Sequence, residues 1–245
     1  MKRITGGTVT YGEVAGILML ESNIPRLPGD PGHAETFSFP VRYEVVRDLP
    51  FDDLVEGRKE KLSIITEAAL RLESEGVAFV VADCGLFAPY QRDVADRLSV
   101  PFVGSSLSLI PILSTFLHAH QKVGVVTGHA EMLRPLHLDA VGADPQRVVI
   151  RGMENSEEFR RVVIERGEQL QPEKMREDTV KVAQSLADSG EELGAIVVEC
   201  TNLITFRKDI QRTLGLPVYD VVSLIELMAS GYERRTFDSN YMSYY

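Results

Sequence analysis

Residues 80–102 read VVADCGLFAPYQRDVADRLSVPF, and residues 196–218 read IVVECTNLITFRKDIQRTLGLPV. When Cys84 is aligned on Cys200, the two stretches match without a gap. An acid, an aspartate, a leucine and a proline recur in the same order, as Asp83 with Glu199, Asp93 with Asp209, Leu98 with Leu214, and Pro101 with Pro217. This recurrence indicates an internal duplication, so we expect two halves with the same fold.

Short β-branched runs alternate with amphipathic stretches, a pattern typical of parallel α/β sheets. The runs are VAGILMLE (14–21), VAFVVAD (77–83), PFVG (101–104), KVGVVT (122–127), RVVI (147–150), AIVVE (195–199) and PVYD (217–220). Residues 52–75 have apolar residues at helical spacing and predict one helix. Five of the twelve prolines lie in residues 24–50, which predict a lid over a cleft or a surface excursion, with a strand at 41–46.

Each half places its cysteine at the end of its third strand, directly before a helix. Parallel α/β sheets bind ligands beyond the carboxyl ends of their strands, and a helix N-terminus favours a thiolate. Cys84 and Cys200 are the only two cysteines in the chain. The competing interpretation is that each is a buried residue that merely packs.

Net charge, the N-terminal segment and the lack of common motifs argue against several classes of protein. The net charge of −10 disfavours nucleic-acid binding, which needs clustered Lys and Arg. Residues 1–12 lack the apolar core of a signal peptide, and no run approaches the length that spans a bilayer. The common metal, phosphate and serine-hydrolase motifs are absent. We therefore expect a cytoplasmic protein with reduced thiols that binds neither nucleic acid nor membrane.

Two thiols that face each other across one cleft suit proton transfer at a carbon acid. Racemisation next to a carboxylate needs a base on one face of the carbon and an acid on the other. The carboxylate must be held by fixed donors. Backbone N–H groups after each cysteine, together with Thr201 and Asn202, are suited to this role. Thr127 is a weaker candidate, because hydroxyls at strand ends also cap helices.

The segments Glu199-Cys200-Thr201-Asn202, Asp83-Cys84-Gly85 and Val123-Gly124-Val125-Val126-Thr127 resemble the cofactor-independent aspartate/glutamate/hydantoin racemase superfamily. The resemblance extends from Gly16 to about Met228. It implies an α/β fold of two pseudo-symmetric Rossmann-like domains with parallel sheets, the active site in the interdomain cleft, and no cofactor. Its domains would be residues 1–106 plus 222–245, and residues 107–221. It also implies that Cys84 and Cys200 are the acid and base.

The sequence departs from members that are similar to glutamate racemase. Those members have Asn-Thr after the first cysteine and Thr-His after the second, where this chain has Gly85-Leu86 and Thr201-Asn202. Their early loop has Asp-Ser, whereas Glu21-Ser22-Asn23 occurs here. Glu21 either pairs with a substrate ammonium or ends a strand in solvent. The expected substrate contacts are Ser22, Asn23, Gly85, Leu86, Thr127, Thr201 and Asn202.

These features predict a pyridoxal-phosphate-independent and metal-free racemase or epimerase with a two-cysteine, two-base mechanism. The expected substrate is a small carbon acid, first an amino acid of the aspartate/glutamate type. A hydantoin racemase, or a decarboxylase or cis-trans isomerase of the same superfamily, is the alternative enzyme. A non-catalytic small-molecule binding protein is the alternative from another class. The partner is then a small carboxylate or hydantoin, and a homo-oligomer is left open.

Overall fold

The computed structural model describes residues 7–232. The first half contains β1 (Ala15–Leu20), β2 (Val41–Val46), α1 (Phe51–Glu56), α2 (Leu62–Ser74), β3 (Phe79–Ala82), α3 (Gln91–Ala95) and β4 (Phe102–Val103). Next come α4 (Leu109–Phe116), β5 (Lys122–Thr127), α5 (Pro135–Ala140), β6 (Val148–Gly152), α6 (Glu157–Phe159), α7 (Pro172–Ala187), β7 (Leu193–Val198), α8 (Arg207–Leu214), β8 (Val218–Tyr219) and α9 (Val221–Ser230).

The strands form two parallel sheets with the same connectivity. Their orders are β2-β1-β3-β4 and β6-β5-β7-β8. Gly16 lies opposite Val80 in the first sheet, and Gly124 lies opposite Ile196 in the second. Because Val80 and Ile196 each precede a cysteine by the same number of residues, the two sheets share one register. The expected α/β fold of two pseudo-symmetric Rossmann-like domains is confirmed.

Both faces of each sheet are buried, as the apolar strand sequences require. In the first sheet, Leu18 and Val80 pack in one apolar cluster, whereas Ile17 and Val81 pack in another. Successive side chains of a strand point to opposite faces, which explains the alternation. Within residues 7–232, no helix combines the length and the apolar character needed to cross a membrane.

The chain passes between the two sheets at both ends of the second half. Helix α4 packs against β5 and β7 of the second sheet. After α9, the Tyr232 ring stacks on Phe79, and its hydroxyl donates a hydrogen bond to the Ala78 carbonyl of the first half. The domain bounds 1–106 plus 222–245, and 107–221, stay a prediction. Residues 1–6 and 233–245 lie outside the described residues.

The prediction of one continuous helix over residues 52–75 is wrong. Helix α1 ends at Glu56, the next residue Gly57 adopts a left-handed conformation with φ of 61°, and α2 begins only at Leu62. A left-handed glycine commonly ends a helix. The apolar spacing of the sequence continues on both sides of Gly57 and therefore did not reveal the break. The strand at Val41–Val46 agrees with the sequence interpretation.

Replacing Gly57 tests the helix break. A Cβ there would lie 3.0 Å from Pro89 Cβ, in addition to the strain of a positive φ. Gly142 is a matched control, because its φ is 70° and nothing lies within 4 Å of its Cβ position. We expect Gly142→Ala to lower the free energy of unfolding by about 1 kcal/mol, and Gly57→Ala by about 1–3 kcal/mol more, in urea titrations. Equal losses would mean that the contact with Pro89 has no cost.

Candidate active site

A cleft of about 720 Å³ lies where the carboxyl ends of the two sheets meet. Residues at or just after the ends of the four central strands line it. The first half contributes Leu20 and Asp83-Cys84, and the second contributes Thr127 and Glu199-Cys200. A shared crevice beyond strand ends is the usual ligand site of parallel α/β sheets.

The two cysteines have equivalent backbone surroundings. Each is extended and directly precedes a short 3-10 helix, at Gly85–Tyr90 and at Thr201–Phe206. The Cys84 carbonyl accepts a hydrogen bond from the Phe87 amide, and the Cys200 carbonyl accepts one from the Leu203 amide, both at 3.1 Å. Both cysteines are free and half-buried. The fold therefore brings both thiols to one cleft, as the sequence predicted.

Most of the substrate contacts expected from sequence also line this cleft. Only Gly85 does not, because it lies beneath the surface against a neighbouring side chain. The residues that line the cleft are Ser22, Asn23, Leu86, Thr127, Thr201 and Asn202, together with both cysteines. Their roles in binding or catalysis stay a prediction.

The acid before the first cysteine is held in an ion-pair network. Asp83 is buried, and its Oδ1 accepts a hydrogen bond from the Leu20 amide at 2.9 Å. Its Oδ2 lies 3.1 Å from the Arg26 guanidinium, which also contacts Asp30 at 2.6 Å. Burial raises the pKa of Asp83 to about 6, although Arg26 opposes that rise. Arg26 thus binds two carboxylates at the floor of the cleft.

The acid before the second cysteine has different partners. Glu199 is equally buried, and its Oε2 accepts a hydrogen bond from the Thr127 hydroxyl at 2.5 Å. Burial raises the pKa of Glu199 to about 7, while hydrogen bonds from Thr127 and the Gly128 amide lower it. Within residues 7–232, no cation lies in salt-bridge contact with this carboxylate.

Gly85 is required by the position of Glu199. A Cβ built on Gly85 would overlap the Glu199 carboxylate and would lie 2.6 Å from its Cγ. The Glu199 side chain therefore crosses from the second half to the residue that follows Cys84. This contact gives a physical reason why a glycine occupies the position where members similar to glutamate racemase have an asparagine.

The Leu86 and Asn202 amides, in the first turns of the two 3-10 helices, lower the pKa of Cys84 and Cys200 as expected, but other causes outweigh them. Burial raises the pKa of Cys84 well above its usual range, and Glu199 and Asp83 raise it further. Burial, followed by Glu199, raises the pKa of Cys200 to about 12. Asn202 opposes this shift through its side-chain amide, 3.7 Å from Cys200 Sγ. Short 3-10 helices do not outweigh desolvation and neighbouring acids, so both cysteines carry protons at neutral pH.

Both halves contribute apolar residues to the cleft. A Cβ on Gly128 would lie 3.0 Å from the Phe159 ring and 3.5 Å from Cys200 Sγ, so the ring and the thiol converge around this glycine. Further apolar residues line the same cleft, namely Leu20, Ile24, Leu49, Phe51, Leu86, Met132, Val163 and Ile164. Sequence reasoning missed Phe159 and Glu199. For Glu199 the sequence did contain a signal, because an acid precedes each cysteine.

The proline-rich segment contributes to the cleft and reaches across it. Ile24 and Arg26 line the cleft. The Pro28 carbonyl accepts a hydrogen bond at 2.9 Å from the Thr205 hydroxyl of the second half. A Cβ on Gly29 would lie 3.2 Å from the Thr205 Cα. The segment thus connects the two halves, and its movement as a lid stays a prediction.

The fold and the paired thiols define the class to which this protein belongs. The family model for Asp/Glu/Hydantoin racemase matches residues 39–226. The chain belongs to this family. The resemblance inferred from sequence is therefore confirmed.

Individual proteins are similar to this chain in two ways, lyases in sequence and a racemase in fold. The chain is 30% identical over 226 residues to a dimethylsulfoniopropionate lyase of Durusdinium sp. clade D, covering 89% of this chain and 74% of that protein. It is 28% identical to dimethylsulfoniopropionate lyase 7 of Emiliania huxleyi, covering 85% of this chain but only 64% of that protein. The allantoin racemase structure from Klebsiella pneumoniae has a TM-score of 0.59 and 18% identity over 89% of this chain and 87% of that one. At that identity, the likeness concerns the fold alone.

A double-mutant cycle tests the contact between the halves. We expect Gly85→Ala to lower the free energy of unfolding by about 1–3 kcal/mol, because the added methyl overlaps the Glu199 side chain. Glu199→Gly removes the obstacle, so the double variant should lose less than the sum of the two single losses, as measured by urea unfolding. Strictly additive losses would contradict the packing of Glu199 on Gly85.

Proposed function

We propose that this protein is a cofactor-independent enzyme that removes a proton from the carbon next to a carboxylate, with Cys84 and Cys200 as its acid and base. The pair of thiols at equivalent strand ends of one cleft carries this proposal. A small carbon acid bound between them has one thiol on each face. Thr201, Asn202 and Thr127 line the same cleft and supply donors for the substrate carboxylate.

We further propose that the substrate is dimethylsulfoniopropionate and that the reaction is its cleavage. The names of the relatives at 28–30% identity support this choice over an amino acid. So does the lining of the cleft. An ammonium group brings three N–H donors that need acceptors, whereas a dimethylsulfonium group has no N–H or O–H and needs an apolar surface. Leu86 and Phe159 offer that surface, and an aromatic face also attracts a cation.

The proposed cleavage is a β-elimination. A thiolate takes a proton from the carbon next to the carboxylate, and the C–H electron pair forms the carbon–carbon double bond. The neighbouring C–S bond breaks, and dimethyl sulfide leaves with that electron pair. Acrylate remains, and each turnover releases one proton to water. Charge and atoms balance without an oxidant or a cofactor.

A racemase of an amino acid of the aspartate/glutamate type is the second candidate. It begins with the same proton abstraction, but the opposite thiol then returns a proton to the other face of the carbon. The equivalent placement of Cys84 and Cys200 in two halves with the same fold favours the racemase. A hydantoin substrate fits the same two-thiol scheme.

Purified protein incubated with dimethylsulfoniopropionate tests the proposal. We expect release of dimethyl sulfide, measured by gas chromatography, together with equimolar acrylate, measured by NMR. Cys84→Ala and Cys200→Ala should each lower the rate by about 100-fold or more, because acid–base groups contribute about 10²–10⁴-fold. Ser185→Ala is the control, since this hydroxyl lies on α7 and donates a hydrogen bond to the Val182 carbonyl of its own helix.

The same samples separate the two candidates. Single enantiomers of aspartate, glutamate and a hydantoin are incubated in deuterium oxide and followed by optical rotation and NMR. Racemisation with deuterium incorporation, without release of dimethyl sulfide, would replace the lyase by the racemase. Full turnover of either kind in both alanine variants would refute the use of the thiols.

A further inference from the structure

The acids that precede the two cysteines differ in their pairing. Asp83 is bound to Arg26 and to the Leu20 amide. Among residues 7–232, the donors to Glu199 are neutral, the Thr127 hydroxyl and the Gly128 amide, and no cation forms a salt bridge with it. A buried carboxylate without a cation is costly, and such groups concentrate at functional sites. The elimination described above gives Glu199 no role.

The Glu199 carboxyl lies between the two halves. It is adjacent in the chain to Cys200, it packs against Gly85 directly after Cys84, and it lines the cleft that contains both thiols. Its field acts on both thiols, since it contributes to the raised pKa of each. One carboxyl group is thus coupled to both cysteines.

Acid–base work by the cysteines requires a proton acceptor inside the cleft. Both thiols are protonated at neutral pH, and a thiol cannot act as a base until it has lost its proton. Asp83 is ion-paired with Arg26 and is therefore not the acceptor. The Asn202 side-chain amide beside Cys200 Sγ is a donor that stabilises a thiolate once it has formed.

We propose that Glu199 is a positioning residue that takes the proton from Cys200 and so generates the working thiolate inside the cleft. This inference rests on the proposed acid–base use of the cysteines. In the step, the S–H bond of Cys200 breaks and an O–H bond forms on Glu199. The thiolate then takes the proton next to the substrate carboxylate. After the products leave, Glu199 gives its proton to water, and the net proton released is that of the elimination.

The pH dependence follows from the ionisation of Glu199. Only the ionised carboxylate accepts a proton, and its pKa is raised to about 7. We therefore expect activity to rise as the pH passes through about 7 from below. The other ionisable groups that line the cleft, or contact those that do, are Glu21, Arg26, Asp30, Asp52, Asp83, Cys84, His129, Arg166 and Cys200. Asp83 has a pKa of about 6, so its own titration must be separated from that of Glu199.

Alkylation of Cys200 tests the inference without any substrate. Because Glu199 and Cys200 titrate as a coupled pair, the rate of iodoacetamide labelling of the Cys200 peptide should have a step near pH 7 and a second rise at higher pH. Glu199→Gln should remove the step near pH 7. Asp83→Asn is the matched control and should keep it, because Asp83 is ion-paired with Arg26 and is not among the main causes of the raised pKa of Cys200. Mass spectrometry measures each peptide separately.

A second variant keeps the test decisive if Glu199→Gln does not fold. The Thr127 hydroxyl stabilises the ionised form of Glu199, so Thr127→Val should move the labelling step to higher pH. A step that stays in place in Thr127→Val, or that persists in Glu199→Gln, would overturn the inference.

Turnover of dimethylsulfoniopropionate gives the second readout. We expect Glu199→Gln to lower kcat by about 100-fold or more, with little change in KM, and to remove the rise in activity through pH 7. If Glu199→Gln retained kcat, a neutral hydrogen-bond donor would be sufficient at this position. Proton acceptance by Glu199 would then be refuted. Loss of the labelling step together with no turnover of any tested substrate would support the inference and refute the proposed substrate.

Discussion

The crowding of two half-buried cysteines and two buried acids at the same strand ends is the constraint on which the site depends. Burial is the largest cause of the raised pKa of Asp83, Cys84, Glu199 and Cys200. A buried charge must be paired, hydrogen-bonded or neutralised, and the fold uses all three solutions. Arg26 pairs with Asp83, Thr127 bonds Glu199, and the cysteines keep their protons. The parallel sheets impose this crowding, because their central strands all end at one place.

The approximate two-fold symmetry of the backbone does not extend to the side chains at the floor of the cleft. Asp83 and Glu199 each receive the amide of an equivalent residue, Leu20 or Gly128. From there the side chains diverge. The aspartate turns towards Arg26, while the longer glutamate reaches the glycine that follows the opposite cysteine. A single methylene thus separates a carboxylate tied to its own half from one that crosses between halves.

The fold could be predicted from sequence because strand composition and the repeated cysteine segment report backbone geometry directly. Parallel strands buried on both faces need runs such as those around Val81 and Val197, and these runs were visible. The break at Gly57 was missed, because apolar spacing continues on both sides of a residue whose left-handed φ is not encoded in that spacing. The protonated state of the thiols was also missed. Desolvation depends on what covers Cys84 and Cys200, which only the folded packing defines.

The unequal surroundings of the two thiols bear on the direction in which chemistry can run. Interconversion of mirror images has an equilibrium constant of one, so its forward and reverse steps make equal demands on the two sides of the carbon. A fragmentation that releases a neutral sulfide makes no such demand. In this cleft, acids raise the pKa of both thiols, Glu199 and Asp83 at Cys84 and Glu199 and Asp30 at Cys200, and the Asn202 side-chain amide donates a hydrogen bond to Cys200. An elimination needs a single base, and the hydrogen bond from Asn202 would serve that base at Cys200.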